Sequence, residues 1–266
     1  MPRVFSILLI LIFLLAGQLS IASASHSPAA AVEPITVPIL LYHHIGNSKG
    51  SDRYYVSEEK FQKQMKFLQE LGYRTITIKR LADVLSHGGY LPQRPVILSF
   101  DDGNMSVYKK AYPVMAQYGF AGAVYIVANR LKAKDFMHKR ELSELVDSGW
   151  EVGSHSMTHT NLVQNHLLVR KEILQSRLDL EEALDIEIDS FAYPFGLADP
   201  YVMKKVYDYG YQAGVGVGTS VNHTFGTSYY LSRREVYGDL TMKEFSNLLP
   251  WTTPLPPMLY PHHRME

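Results

Sequence analysis

The sequence contains no cysteine and no excess charge of either sign, with 26 Lys and Arg balanced by 26 Asp and Glu. Without cysteine there is neither a disulfide framework nor a thiolate ligand, so any transition-metal site must be built from imidazole and carboxylate. Without net charge there is no long-range field to draw in a polyanion, and this argues against nucleic acid or an anionic membrane surface as the main partner. The expected substrate is close to neutral, and no stable protein partner is inferred. Tryptophan is scarce, at 2 residues, but 18 Tyr and 11 Phe supply both a core and the walls of a cleft. A hydrophobic share of 46% rules out a disordered chain. The apolar run from Val4 to Ala16 has 13 residues, short of the roughly 18 that a membrane-spanning helix requires.

That run follows Arg3 and precedes Ala22-Ser23-Ala24, the pattern of a secretory signal peptide over residues 1–24 with small residues at its cleavage site. The alternative is an uncleaved amino-terminal membrane anchor. Residues 25–36, rich in Ala, Ser and Pro at their start, read as a flexible leader. Residues 37–249 form the expected single domain. The tail, 250–266, carries Pro254, Pro256, Pro257 and Pro261 and is expected to wrap the surface without regular structure.

Within 37–249, short apolar runs alternate with longer amphipathic ones, which is the signature of βα units around a parallel sheet. The strands are expected at Val37–Tyr42, Tyr73–Ile78, Val96–Phe100, Ala121–Val127, Trp150–Gly153, Ser190–Tyr193, Tyr211–Val217 and Tyr230–Val236. Helices are expected from Ser57 through Leu71, and at Met105–Tyr118, Lys139–Ser148, Leu167–Leu184, Pro200–Tyr209 and Thr241–Leu249. Either a doubly wound sheet or an irregular barrel fits this alternation. The barrel is preferred because the polar clusters fall just after strands, where barrel active sites collect.

Four such clusters carry chemistry. Ser99-Phe100-Asp101-Asp102-Gly103 puts two adjacent carboxylates at a strand end, pointing in different directions, so that one can hold a cation while the other accepts a proton. A solvated Asp-Asp-Gly turn is the plainer explanation of the same residues. His155-Ser156-Met157-Thr158-His159 spaces two imidazoles by four, expected to lie on one side of a helical turn. Asp102, His155 and His159 together make a three-ligand N/O set that leaves coordination positions open. Leu41-Tyr42-His43-His44 ends another strand; at most one of the two histidines should face a barrel centre if the strand continues. Phe191-Ala192-Tyr193-Pro194-Phe195-Gly196 fixes a sharp turn that can present a backbone N–H to an oxyanion. Tyr54, Tyr55, Tyr125 and Phe136 are aromatics able to line a sugar groove, and none is singled out.

In this order the four segments resemble the NodB-type polysaccharide deacetylases, carbohydrate esterase family four, over about Val37 to Val236. The segment Ser99–Gly103 matches the family's first motif, His155–His159 its His-Ser/Thr-x-x-His motif, and Pro194-Phe195-Gly196 its third. The Leu-Tyr-His segment is similar to the branch containing exopolysaccharide poly-N-acetylglucosamine deacetylases. The resemblance implies a distorted (β/α)7 barrel, with Asp101 as catalytic base and Asp102, His155 and His159 as ligands of a divalent metal. That metal is most often zinc, with cobalt, nickel or iron also accepted by such a site. It further implies an oxyanion and substrate contact at Phe195 and Tyr193, and His43 as general acid in place of a late histidine, with His223 as the alternative and His262-His263 left aside in the tail. Many members carry an arginine two residues before the third-motif proline; here that residue is Ala192, and Arg233 is the candidate substitute, the other explanation being a surface pair with Arg234. The implied activity is removal of N-acetyl groups from an amino-sugar polymer such as poly-N-acetylglucosamine, peptidoglycan or a chitin-like chain. An O-acetyl esterase acting on xylan, or a non-catalytic carbohydrate-binding relative favoured by the missing arginine, are the alternatives. A two-carboxylate glycosidase is disfavoured, because neighbours in sequence cannot flank a sugar from opposite sides.

Overall fold

The structure, a computed structural model, describes residues 33–47 and 52–256. The expected signal peptide, most of the leader, and the tail from Pro257 with His262 and His263 lie outside the described residues.

Seven strands run parallel and close on themselves: β1 (Ile39–Tyr42), β2 (Pro95–Phe100), β3 (Ala123–Ile126), β4 (Glu151–Ser154), β5 (Ser190–Ala192), β6 (Ala213–Val217) and β7 (Leu231–Glu235). Each pairs with the next, and β7 returns to β1 through Arg234 opposite Leu40 and Glu235 opposite Leu41. The expected (β/α)7 barrel is therefore the observed fold, and the doubly wound alternative falls.

Strand periodicity decides what enters the barrel. Ile39, Ile97, Ala123, Tyr125, Ala192, Ala213, Val215 and Leu231 form one buried cluster inside it. The intervening Leu40, Tyr42, Leu98, Phe100, Val124, Val152 and Phe191 belong to the outer core, where the helices α1 (Glu58–Glu70), α2 (Ile78–His87), α3 (Tyr112–Gln117), α4 (Lys139–Asp147), α5 (Ser176–Leu184), α6 (Pro200–Asp208) and α7 (Met242–Ser246) lie. Continued past the last hydrophobic layer, the same period turns Ser99, Asp101, His155 and Arg233 inward. Gly153 is required on this inner face, since a Cβ there would stand 2.3 Å from the Tyr125 ring.

Three expectations change. The strand expected at Tyr73–Ile78 is only Arg74–Thr75, paired to the start of β2. Thr77 caps α2 by accepting the Arg80 N–H at 3.0 Å, and Ile78, Leu81 and Ala82 join the inner cluster. The expected continuous helices Met105–Tyr118 and Leu167–Leu184 each contain a wider π-helical stretch, Val107–Ala111 before Pro113 and Arg170–Gln175 before α5. Lastly, the leader's end is ordered: Ile35–Thr36 pairs antiparallel with Asn222–His223. At the other terminus Trp251 exchanges hydrogen bonds with the Tyr73 hydroxyl, so the described part of the tail does lie against the surface.

Candidate active site

At the carboxyl-terminal mouth of the barrel a cavity of about 410 Å³ is lined by His43, His44, Asp101, Asp102, His155, His159, Phe195 and, on its outer wall, Tyr54, Glu235 and Tyr237. Asp101 extends β2 and Arg233 lies inside β7, two strands that flank β1. The Arg233 side chain has no exposed surface. Its Nη1 donates to Asp101 Oδ1 at 2.6 Å and its Nη2 to Oδ2 at 2.7 Å, while Nε donates to the Gly216 carbonyl. Burial by itself pushes the Asp101 carboxyl up, but the guanidinium, with His155 adding to it, holds it well below the usual carboxylate range. The bidentate fork thus keeps a buried carboxylate ionised and fixed in orientation. Arg233 is not one half of a surface basic pair. It reaches Asp101 from another strand than the one carrying Ala192, and this removes the feature that favoured a non-catalytic relative.

Asp102, His155 and His159 each offer a ligand atom within 4.8 Å of the others. The His155 Nδ1–H donates to the Ala192 carbonyl at 2.8 Å, which fixes the tautomer and leaves Nε2 with its lone pair toward the cluster, 3.6 Å from Asp101 Oδ2. Burial lowers the His155 pKa, with Asp101 and Asp102 opposing it. A carboxylate oxygen and two imidazoles are the donor set of an open divalent site, and these residues fit the ion that the sequence implies.

The loop that carries the histidines is not the helical turn that their spacing suggested. Ser156 and His159 are left-handed, at φ 65° and 63°, as are Asp102 at 70° and Phe195 at 61°. Four of the six positive-φ non-glycine residues among those described therefore sit at one site, a concentration of backbone strain of the kind that functional sites hold. The His159 N–H is caught by Ser156 Oγ at 2.8 Å. Buried Glu172 accepts the Thr158 N–H and hydroxyl, both at 2.8 Å, and its own carbonyl accepts the Met157 N–H. The sequence reading missed Glu172, although it falls on the apolar stripe Val169, Ile173, Ser176, Leu180, where a carboxylate is out of place unless it has partners. Arg130 was also missed; its Nη1 donates to Asp102 Oδ1 at 3.0 Å.

His43 and His44 both line the cavity, against the expectation of one at most. The chain leaves the barrel after Tyr42, and His44–Ile45 pairs anew with Tyr55–Val56, so strand alternation no longer applies. His43 packs on Tyr54 at 4.6 Å between ring centroids and His44 on Tyr55 at 4.4 Å. Burial lowers the His43 pKa, and Asp101 and Asp102 partly restore it. Tyr193 does not reach the cavity. One residue past inward Ala192, it turns out of the barrel, is fully buried, and its hydroxyl donates to the Tyr229 carbonyl; its side chain serves the outer core. His223 is equally remote, its Nε2 bonded to the Val37 carbonyl beneath the amino end of β1. Tyr125 is buried inside the barrel beneath Arg233, and Phe136 lies under the Arg130 guanidinium.

The site thus sets a metal-fitting carboxylate/imidazole cluster beside an arginine-clamped aspartate at the mouth of a closed parallel barrel. The family model for polysaccharide deacetylase matches residues 88–214. YxkH of Bacillus subtilis (strain 168) is 28% identical over 186 residues, covering 69% of this chain and 65% of that protein. The poly-beta-1,6-N-acetyl-D-glucosamine N-deacetylase of Staphylococcus aureus (strain MRSA252) is 26% identical over 188 residues, 64% of either chain. The crystal structure of BC0361, a polysaccharide deacetylase from Bacillus cereus, superposes with a TM-score of 0.71 at 26% identity, covering 81% of this chain and 69% of that one. Over these residues the chain is similar to the polysaccharide deacetylase family, and its fold is that of a solved member. It spans 65% and 64% of the length of these two curated relatives.

Proposed function

We propose that this protein is a secreted, zinc-dependent hydrolase that removes N-acetyl groups from an amino-sugar polymer, poly-N-acetylglucosamine being the first to test. The observation that carries the reading is the bidentate Arg233–Asp101 pair beside the Asp102/His155/His159 cluster in one open cavity. The likeness to the Staphylococcus aureus N-deacetylase supports the choice of polymer. Residues 1–24 are proposed as the export signal.

Asp102, His155 and His159 would hold the ion, and when bound it supplies Lewis acidity, polarising the acetyl carbonyl and lowering the pKa of water to roughly 7. Asp101, kept ionised by Arg233, takes the proton of the attacking water. Its depressed basicity suits an acidified water rather than a free one. The backbone N–H of Phe195, in its left-handed turn, donates to the developing oxyanion. His43 then gives a proton to the sugar nitrogen as the C–N bond breaks, so that amine and acetate leave instead of an amide anion. Burial favours the neutral form of His43, so the proton it gives is the one Asp101 took from water, passed on within the same cavity.

The test is acetate release from N-acetylglucosamine oligomers by the purified full chain, with and without added zinc, beside Asp101→Asn. Zinc-dependent release that the variant lowers by about a hundredfold or more is expected, since general base catalysis alone contributes roughly 10²–10⁴. Equal release by both proteins would refute the assignment.

A further inference from the structure

A second cavity, also about 410 Å³, adjoins the first and shares Val217, Glu235 and Tyr237 with it. Its far side is made by Thr219, Asn247 and Leu248. Each cavity has the size of a small-ligand pocket, and the two lie side by side across the mouth between β6 and β7, walled in common by Val217, Glu235 and Tyr237.

Glu235 stands at the junction because of strand period. Leu231 and Arg233 turn into the barrel, so Glu235 does too, one pleat above the Arg233–Asp101 pair, while Arg234 turns outward. Arg234 gives its Nε and Nη2 to the Thr219 carbonyl and its Nη1 to the Asn247 carbonyl. Its charge therefore braces the wall of the second cavity instead of answering Glu235. The other nearby cation, Arg53, lies over the face of Tyr237, 3.4 Å from the ring centroid. Among the described residues Glu235 forms no ion pair, and its neighbour is the neutral hydroxyl of Tyr237, whose pKa burial raises and Glu235 raises further. The floor of the second cavity is kept flat at Gly218, where a side chain would collide with the Ser232 hydroxyl.

A half-buried carboxylate without a counter-charge, set between two pockets, is complementary to a cation. An N-acetylated polymer has none to offer. Its deacetylated form does, because hydrolysis of each amide leaves an amine that takes up a proton. We propose that the second cavity is a subsite for a glucosamine residue, read through its ammonium by Glu235, beside the acetylated residue held in the first cavity. This rests on the deacetylase reading. It makes the product of one turnover the preferred neighbour for the next, so that acetyl groups are lost in blocks rather than at random.

The experiment compares kcat/KM of the zinc-loaded full chain on three N-acetylglucosamine tetramers. One is fully acetylated, and the others carry a single glucosamine on one or the other side of the reacting residue. One singly deacetylated isomer should be preferred by roughly tenfold, the size of a charge-assisted hydrogen bond, and the preference should shrink with added salt. In Glu235→Gln the ratio should fall toward one whatever happens to the absolute rate. No preference in the unmodified protein, or the same preference in Glu235→Gln, would overturn the subsite. Should the unmodified protein release no acetate from any tetramer, the deacetylase reading fails separately. Calorimetric titration with the fully deacetylated tetramer then decides the subsite: binding lost in Glu235→Gln upholds it, and equal or absent binding refutes it.

Discussion

At the scale of single residues, the site turns on the ion pair between Arg233 and Asp101, because both members are buried and each is costly without the other. Removing one partner of a buried pair typically costs about 3–5 kcal/mol, and Arg233→Met should destabilise the metal-free protein by an amount in that range. The sign with pH follows from the direction of the shift. Asp101 has a depressed pKa when folded, so the pair's contribution is complete above the unfolded carboxylate value near ~4 and is lost as pH falls through the folded one. In Arg233→Met the largest opposition to burial is gone, leaving only the weaker pull of His155 and His43, so the Asp101 carboxyl moves up. The gap in unfolding free energy between the two proteins should therefore be widest near neutral pH and narrow in acid, as urea melts at several pH values will show. A gap independent of pH would mean that Arg233 contributes by packing alone. Arg233→Lys, which keeps the charge without the fork, should recover part of the stability and little of the activity. None of this was hidden in the sequence: Arg233 was legible as a substitute for the arginine missing at Ala192, and strand alternation from Leu231 supplies its direction.

Secondary-structure elements aim the remaining groups, and here the sequence was a poorer guide. Apolar runs located all seven barrel strands, because a strand buried on both faces is hydrophobic throughout, as Pro95–Phe100 is. The pattern Thr75-Ile76-Thr77-Ile78 imitates a strand by β-branching, and it concealed α2, whose cap is Thr77 itself. Spacing suggested a helix for His155–His159, whereas two left-handed residues and a distant carboxylate make the loop. Such a loop depends on a partner 14 positions away, and no local pattern encodes it. Glu172 is that partner, presented by the π-helical stretch Arg170–Gln175. It touches no ligand atom, so its action is one of position. Glu172→Ala should weaken zinc binding by roughly 10–100-fold, the usual effect of losing an outer support of a metal ligand, measured by competition against a chromophoric chelator. Glu172→Gln, which can still accept from Thr158, should keep most of the affinity. Unchanged affinity in Glu172→Ala would show that Ser156 alone holds the loop.

For the molecule as a whole, the cluster joins parts of the barrel that strand pairing does not join. Asp102 follows β2 and His155 and His159 follow β4, with β3 between them. An ion held by all three closes a cross-link over the barrel mouth that exists only in the folded chain, and binding to the native state alone stabilises it by mass action. At a free zinc concentration one hundred times Kd the gain is about 2.7 kcal/mol. For a domain of this size each kcal/mol moves Tm by roughly 2–4 °C, so zinc should raise the melting temperature by about 5–11 °C and excess chelator should reverse it. Asp102→Asn should lose most of that shift while melting normally without zinc, because Asp102 is partly exposed and contributes little to the core. Zinc that left the melting temperature of the unmodified protein unmoved would contradict a site formed from these three residues. Loss of the shift in Asp102→Asn with full retention in Glu235→Gln would show that Glu235, although it lines the same cavity, takes no part in holding the ion.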